Sequence, residues 1–126
     1  MEAASRGARS AASYAEGDIV GIIPGSDSAS ANPFVDIVVP TNMGFSRNVL
    51  VVAMSDVVVA VGGGAGTLTE IAMAWQMGKV IIGVQVDGWS GELAGRTVDD
   101  RREDRVLAAR DAAEAVALAA RAVGLA

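Results

Sequence analysis

The stretch from residue 57 to residue 70, VVVAVGGGAGTLTE, restricts the fold of this chain more than any other. Its apolar run Val57–Val61 shows no polar alternation, which is typical of a strand buried on both faces of a parallel sheet. Four glycines follow within residues 62–66, and glycine can adopt positive φ and lets a ligand approach the backbone. Thr67 and Glu70 have the spacing of a capping box, which predicts that a helix begins there.

A strand, a glycine loop and a helix start form an arrangement that binds phosphate, because free N–H groups and the positive end of the helix dipole both face the loop. The spacing matches neither GxxxxGK(S/T) nor a GxGxxG with its acidic partner. A glycine-rich turn between a strand and a helix would also explain the pattern, so the residues alone leave both interpretations open. The candidates for a phosphate cradle are Gly62, Gly63, Gly64, Gly66 and Thr67.

The composition limits the chemistry that is available. With 126 residues, the chain is expected to form one nucleotide- or phosphate-binding domain over residues 1–126. It contains no cysteine and no histidine, which excludes disulfides, thiolate sites and the commonest general base, and we predict no metal site. Any reaction would depend on carboxylates, arginines, hydroxyls and backbone N–H groups.

Charge and hydropathy narrow the range of partners. The net charge is -5 and no cluster of lysine and arginine is present, which argues against a nucleic-acid partner. No apolar run is long enough to cross a bilayer and no signal peptide is evident, so we expect a cytoplasmic protein without a membrane partner.

Apolar runs and helix-cap signals predict the remaining elements. Besides 57–61, strands are predicted at 19–23, 35–39, 80–84 and 105–109. Helices are predicted at 2–15, from Thr67 to Gly78 and from Asp111 to about Val123, and loops at 26–32, 87–91 and 95–104. Buried strands that alternate with helices indicate an α/β fold with a mainly parallel sheet.

Residues 42–56 allow two interpretations. The run Val49–Val52 is rich enough in valine to form a strand that turns into Val57 through Ser55-Asp56. That turn lacks the glycine which two-residue hairpin turns favour, whereas Met43, Arg47, Leu50 and Met54 recur at helical spacing. We therefore predict a helix.

Two segments resemble a known family. Residues 63–70, GGAGTLTE, are similar to the GGxGTxxE signature of the LOG-like (SLOG) Rossmann-type proteins, long labelled "possible lysine decarboxylase". Gly62 stands where that family usually has a proline. Residues 43–48, MGFSRN, resemble the family segment in which an arginine opens a helix. The resemblance extends over essentially the whole chain and implies a Rossmann-like three-layer sandwich.

The pair Arg47-Asn48 is most similar to the subgroup that includes the molybdenum cofactor carrier proteins, whereas cytokinin-activating LOG enzymes have Arg-Lys there. The resemblance thus implies a carrier or sensor that binds a small phosphorylated ligand, such as a nucleotide or a pterin-type cofactor, at Gly62–Thr67 with Arg47 and Glu70. It also implies a homo-oligomer, either a dimer or a tetramer.

The alternative function is a phosphoribohydrolase that cleaves nucleoside 5′-monophosphates. Arg47 would then bind the phosphate or stabilise developing charge, and Glu70 would assist at the ribose. Lysine decarboxylation is not predicted, because the sole lysine, Lys79, lies beside a buried strand and outside any cofactor motif.

Family members usually begin with a strand, a helix and a second strand, ahead of a helix like the one predicted at 2–15. By this resemblance the sheet is expected to be N-terminally incomplete, and Met1 is expected not to be the natural start of a complete family member.

Structural explanations compete with each functional one. Arg47 could be an ordinary surface arginine, and a capping box with Thr67 would account for Glu70 without a ligand. Asp87 could reach a ribose hydroxyl, but exposed loop aspartates are common. Plain loop, core or surface roles are expected for Ser26, Ser28, Asn32, Trp75, Trp89 and the charged run 99–104.

Overall fold

The structure, a computed structural model, describes all residues from 1 to 126. They form two compact units, residues 1–50 and 51–126. The strands are β1 (Val20–Ile23), β2 (Ile37–Pro40), β3 (Val57–Val61), β4 (Val80–Val84) and β5 (Leu107–Ala109). The helices are α1 (Glu2–Arg9), α2 (Asn48–Ala53), α3 (Ala65–Gln76), α4 (Trp89–Leu93) and α5 (Ala112–Ala122). One nucleotide-binding domain over the whole chain stays a prediction.

All strand pairs are parallel, which confirms the predicted α/β class. In the first unit β1 pairs with β2, with Val20 opposite Ile37 and Ile23 opposite Pro40. In the second unit the strand order is β3-β4-β5, with Val57 opposite Val80 and Ile82 opposite Leu107. The strands are thus distributed over two sheets.

Three layers are present in the second unit. Ile81 of β4 packs with Ile71 and Trp75 of α3 in one buried cluster. Its neighbour Ile82 packs with Ala115 of α5 in another. Since successive side chains of a strand point to opposite faces, α3 and α5 cover opposite faces of this sheet. The continuous apolar run of β4 follows from that double coverage.

The strand β3 is less buried than its sequence predicts. Val59 and Val61 are 43% and 66% exposed, so the expectation of burial on both faces is wrong. The reason is that β3 lies at the edge of its sheet and pairs only with β4. In the first unit, Val20 of β1 is similarly exposed because β1 belongs to a sheet of only two strands.

The carboxylate of Asp36 accepts several hydrogen bonds within the first unit. The carboxylate of Asp36, with its side chain 2% exposed, accepts hydrogen bonds from the Tyr14 hydroxyl and from the N–H groups of Gly17 and Ile19. Arg9 also lies 3.7 Å from it. The Tyr14 hydrogen bond, with the two backbone donors and Arg9, holds the pKa of Asp36 below its ordinary value.

These bonds explain why α1 is shorter than predicted. The helix ends at Arg9 instead of continuing to residue 15. The Ser10 hydroxyl donates to the carbonyl of Gly7, a local bond that competes with helix continuation. Beyond it, Tyr14 bonds to Asp36, and residues 11–18 contain turns and a bend but no helix.

The sequence predicts a solvated surface for the charged run 99–104, but two of its residues contact the buried Trp75. Asp99 accepts a hydrogen bond of 2.7 Å from the indole N–H of the buried Trp75. The guanidinium of Arg102 lies 4.4 Å from the Trp75 ring centroid and donates to the carbonyls of Trp75 and Lys79. Arg102 thereby satisfies carbonyls at the C-terminal end of α3, where a cation is favourable.

Two other predictions, a helix within residues 42–56 and the Asp111 cap, are confirmed. Residues 44–53 are helical, first as a 3-10 turn over Gly44–Arg47 and then as α2, so the hairpin alternative is wrong. Asp111 caps α5 by accepting from the N–H of Glu114, as its spacing predicts. No helix of the structure is long and apolar enough to cross a membrane.

Candidate functional site

The glycine loop lies between the carboxyl end of β3 and the N terminus of α3. Gly62 and Gly63 have φ values of 61° and 86°, a conformation that side chains disfavour. A Cβ atom on Gly63 would lie 2.9 Å from Cγ2 of Thr67 and closer still to its Oγ1. These two glycines are therefore required by the turn itself.

The helix begins earlier than predicted, and the capping box is wrong. Gly64 is the N-cap of α3 and no side chain makes a capping hydrogen bond. Because Ala65 and Gly66 already form the first helical turn, Thr67 and Glu70 are the third and sixth helical residues and cannot form the cap pair. The first N–H groups of α3 consequently have no acceptor within the helix.

The segment 88–90, at the start of α4, holds the loop from one side. The N–H of Trp89 donates to the carbonyl of Gly63 (3.0 Å), and the N–H of Ser90 donates to the carbonyl of Gly62 (3.1 Å). The Ser90 hydroxyl accepts from the N–H of Gly62 and donates to the carbonyl of Val84, both at 2.7 Å. Segment 88–90 therefore fixes the orientation of consecutive loop peptides.

Segment 88–90 can approach the loop this closely because residue 88 is a glycine. A Cβ atom on Gly88 would lie 2.7 Å from the carbonyl carbon of Gly62, so no side chain fits there. The sequence predicts a loop at residues 87–91, whereas residues 89–93 form α4, and Ser90 is not among the predicted site residues. The available signal was the pattern Gly-Trp-Ser-Gly over residues 88–91, directly beyond a buried strand whose carboxyl end shares a sheet edge with that of β3.

The peptide geometry determines where the donors of the loop point. All peptide bonds are trans, so the N–H of each peptide points opposite to its carbonyl. The carbonyls of Gly62 and Gly63 are directed at segment 88–90, and the N–H groups of Gly63 and Gly64 therefore point away from it. With the first N–H groups of α3, they form a concave set of donors suited to an anion.

Open space surrounds the two remaining glycines. A Cβ atom on Gly64 or Gly66 would meet nothing within 4 Å. Neither residue has a positive φ, and Gly66 is helical. Gly64 has φ -101° and ψ -143°, outside the regions that residues with a side chain usually adopt, so its backbone accounts for that glycine. Gly66 has no such backbone requirement, and the fold gives no steric reason for glycine there.

The structure brings most of the predicted site residues together. Gly62, Gly63, Gly64, Gly66, Thr67 and Glu70 lie on one continuous segment of the second unit, and Glu70 is half-buried. The carbonyl of Asp87 approaches Gly62, and a cavity of about 310 Å³ next to it is lined by residues that include Asp87 and Glu92.

Arg47 belongs to the first unit. It ends the 3-10 turn that precedes α2, and its Nε is buried without a hydrogen-bond partner. A buried donor of this kind is uncommon and calls for an acceptor. Asn48, the next residue, is also buried.

The other candidates have structural roles in the residues around them. Asn32 accepts from the N–H of Phe34 and donates to the Ser5 hydroxyl, which stabilises its loop. Trp75 lies in the core, as expected. The ammonium group of Lys79 donates to the carbonyl of Ala53.

Comparisons with known proteins give a consistent result. Residues 1–116 match the sequence profile of the SLOG cluster4 family. A protein of Archaeoglobus fulgidus, described as uncharacterized, is 44% identical over 79 residues, which are 63% of this chain and 49% of that protein. The chain thus spans about half the length of this curated relative.

Two solved structures are similar in fold. One is the X-ray structure of TM1055, with a TM-score of 0.81 and 32% identity, covering 93% of this chain and 69% of that chain. The other is the molybdenum cofactor binding protein from the phototrophic bacterium Rippkaea orientalis, with a TM-score of 0.80 and 32% identity, covering 98% and 71%.

Proposed function

This chain belongs to the SLOG cluster4 family, and from that premise we propose that its glycine loop binds the phosphoryl group of a nucleotide-like ligand or cofactor. In this proposal the protein is a carrier or sensor and not a catalyst. Gly63, Gly64 and the first turn of α3 supply the backbone N–H donors for that phosphoryl group.

The observation that carries this proposal is the glycine at position 66. Glycine within a helix costs roughly 0.5–1 kcal/mol relative to alanine, yet Gly66 lies in the first turn of α3 with open space around it. A ligand that needs the space of a Cβ atom explains Gly66, because backbone N–H groups reach an anion best where no side chain intervenes.

The ligand class is inferred from a structural neighbour. The similar protein from Rippkaea orientalis is a molybdenum cofactor binding protein by its title. We extend to this chain the proposal of a phosphorylated, pterin-type cofactor, which fits the backbone N–H donors of the glycine loop. A cytoplasmic location and a homo-oligomeric state, a dimer or a tetramer, belong to the same proposal.

Thermal melting with added ligands tests the binding function. AMP and inorganic phosphate should raise the melting temperature in a saturable way, because each binds the native state only. Adenosine, which lacks the phosphoryl group, is the matched control and should leave the melting temperature unchanged. An equal shift with adenosine and AMP would contradict phosphoryl recognition by the loop.

Phosphoribohydrolase activity is the second candidate, and the position of Glu70 favours it. Glu70 is the sixth residue of α3, half-buried and on the same continuous segment as the glycine loop. An enzyme would release adenine and ribose 5-phosphate from AMP, and Glu70→Gln would lower turnover by about 10²-fold or more with little change in melting temperature. A carrier would bind AMP and release no adenine.

A further inference from the structure

We propose that Ser90 is the positioning residue of the glycine loop: its buried hydroxyl fixes the loop peptides so that their N–H groups face the ligand. This inference rests on the proposed phosphoryl-binding function and adds to it the residue that prepares the site. Ser90 does not itself contact the ligand in this scheme.

The hydroxyl of Ser90 donates one hydrogen bond and accepts another. Ser90 is 0% exposed, and its Oγ donates to the carbonyl of Val84 at the end of β4. The same oxygen accepts from the N–H of Gly62, the first residue after β3. One side chain thus joins the carboxyl ends of two neighbouring strands at the point where the loop leaves the sheet.

The backbone of Ser90 is equally fixed. A Cβ atom on Gly83 would lie 2.5 Å from the carbonyl oxygen of Ser90, so α4 packs directly on β4. The N–H groups of Trp89 and Ser90 then hold the carbonyls of Gly63 and Gly62. The loop is therefore attached to a rigid support and not to solvent-exposed side chains.

This attachment selects which loop N–H groups remain for an anion. The N–H of Gly62 is used by Ser90 and points toward α4. The next two peptides point their N–H groups the other way, since their carbonyls are held by segment 88–90. Without the Ser90 hydroxyl, the Gly62 N–H would compete for other partners, and the positive φ at Gly62 and Gly63 would lose a constraint.

Two substitutions of Ser90 and one control test the inference. Ser90→Ala removes the hydroxyl, and Ser90→Cys keeps the side-chain volume with a much weaker hydrogen-bonding group. Ser55→Ala is the matched control, because the Ser55 hydroxyl also donates to a backbone carbonyl, that of Val51, within the same unit but outside the loop. Calorimetric titration with AMP gives the affinity, and melting without ligand gives the stability.

We expect the dissociation constant for AMP to rise about tenfold or more in both Ser90 variants and to stay unchanged in Ser55→Ala. Amide hydrogen exchange at Gly62 should be slow in the wild type and faster in both Ser90 variants. In the wild type, AMP should change the amide signals of Gly63 to Thr67 while the Gly62 N–H stays protected. This last measurement requires no variant to fold.

The outcomes separate the two proposals. If wild-type protein binds neither AMP nor phosphate, the proposed function fails and the inference fails with it. If the wild type binds AMP and the Ser90 variants bind it as tightly, only the positioning role is overturned. Equal losses of affinity in Ser90→Ala and Ser55→Ala would also overturn it, since they would reflect general destabilisation. Loss of Gly62 protection on binding AMP would likewise contradict it.

Discussion

Replacing Gly66 by alanine should make the protein more stable and a weaker binder. Gly66 lies in the first turn of α3, and a Cβ atom there would meet no atom within 4 Å. The substitution should therefore raise the free energy of unfolding by roughly 0.5–1 kcal/mol, which is the difference between alanine and glycine in a helix. For a chain of this size, that gain raises the melting temperature by about 2–5 °C.

The ligand effect should go in the opposite direction. A ligand at a hundred times its dissociation constant stabilises the native state by about 2.7 kcal/mol, which corresponds to a shift of about 10 °C. The new methyl group would occupy space that we assign to the phosphoryl group, so AMP should produce little of that shift in Gly66→Ala. Melting curves of the wild type and the variant, each with and without AMP, measure both effects.

Gly7→Ala is the matched control for this experiment. Gly7 also lies within a helix, α1, and a Cβ atom there likewise meets nothing within 4 Å. The Gly7→Ala variant should have a higher melting temperature without ligand, and AMP should raise its melting temperature as much as that of the wild type. The reasoning is refuted if Gly66→Ala keeps the full AMP shift, because the loop then does not contact the phosphoryl group. If Gly66→Ala melts at a lower temperature than the wild type without ligand, the claim that a methyl group fits at position 66 is refuted.

Three further predictions concern stability. Gly63→Ala should destabilise the protein by about 1–3 kcal/mol, because φ is 86° and Thr67 blocks the new methyl group; chemical denaturation measures this. Asp111→Ala should cost about 1 kcal/mol through loss of the α5 cap, and Asp111→Asn, which can still accept the bond, should cost much less. The pKa of Asp36 is lowered by its Tyr14 hydrogen bond, so its stabilisation is complete above the ordinary pKa of 3.8 and is lost as pH falls through the lower folded value. Wild type and Asp36→Asn should therefore differ at pH 7 and converge in acid, and a pH-independent difference would contradict this.

Much of the fold follows from local patterns. The strands at Val57–Val61 and Val80–Val84 were predicted at their observed bounds, because glycine or polar residues bracket each apolar run. The helix end before Gly78 and the cap at Asp111 also follow from sequence rules. The resemblance to the LOG-like proteins is confirmed by the family match and by both similar structures.

What could not be predicted depends on contacts between distant residues. The end of α1 depends on Asp36, which is more than twenty residues away and binds Tyr14. The exposure of β3 depends on which strands pair with it, and a run of valines does not encode that. Arg102 looks like a surface residue until the ring of Trp75 is placed beneath it.

The candidate site divides in the same way. Its glycines and Thr67 were found from sequence, but the start of α3 was placed two residues too late because the Thr67-Glu70 spacing imitates a capping box. Ser90 was missed because the pattern Gly-Trp-Ser-Gly over residues 88–91 does not by itself show that the serine hydroxyl bonds to the glycine loop. Its importance becomes visible only when α4 is packed against the loop.

The two tryptophans give the protein separate optical reporters. Trp75 is buried beneath the guanidinium of Arg102, and its indole N–H binds Asp99, so its emission should change mainly when α3 and the run 99–104 come apart. Trp89 is 39% exposed, and its backbone N–H donates a hydrogen bond to the carbonyl of Gly63. Emission from Trp89 should therefore follow occupancy of the glycine loop, and a Trp75→Phe protein would report ligand binding by fluorescence without a label.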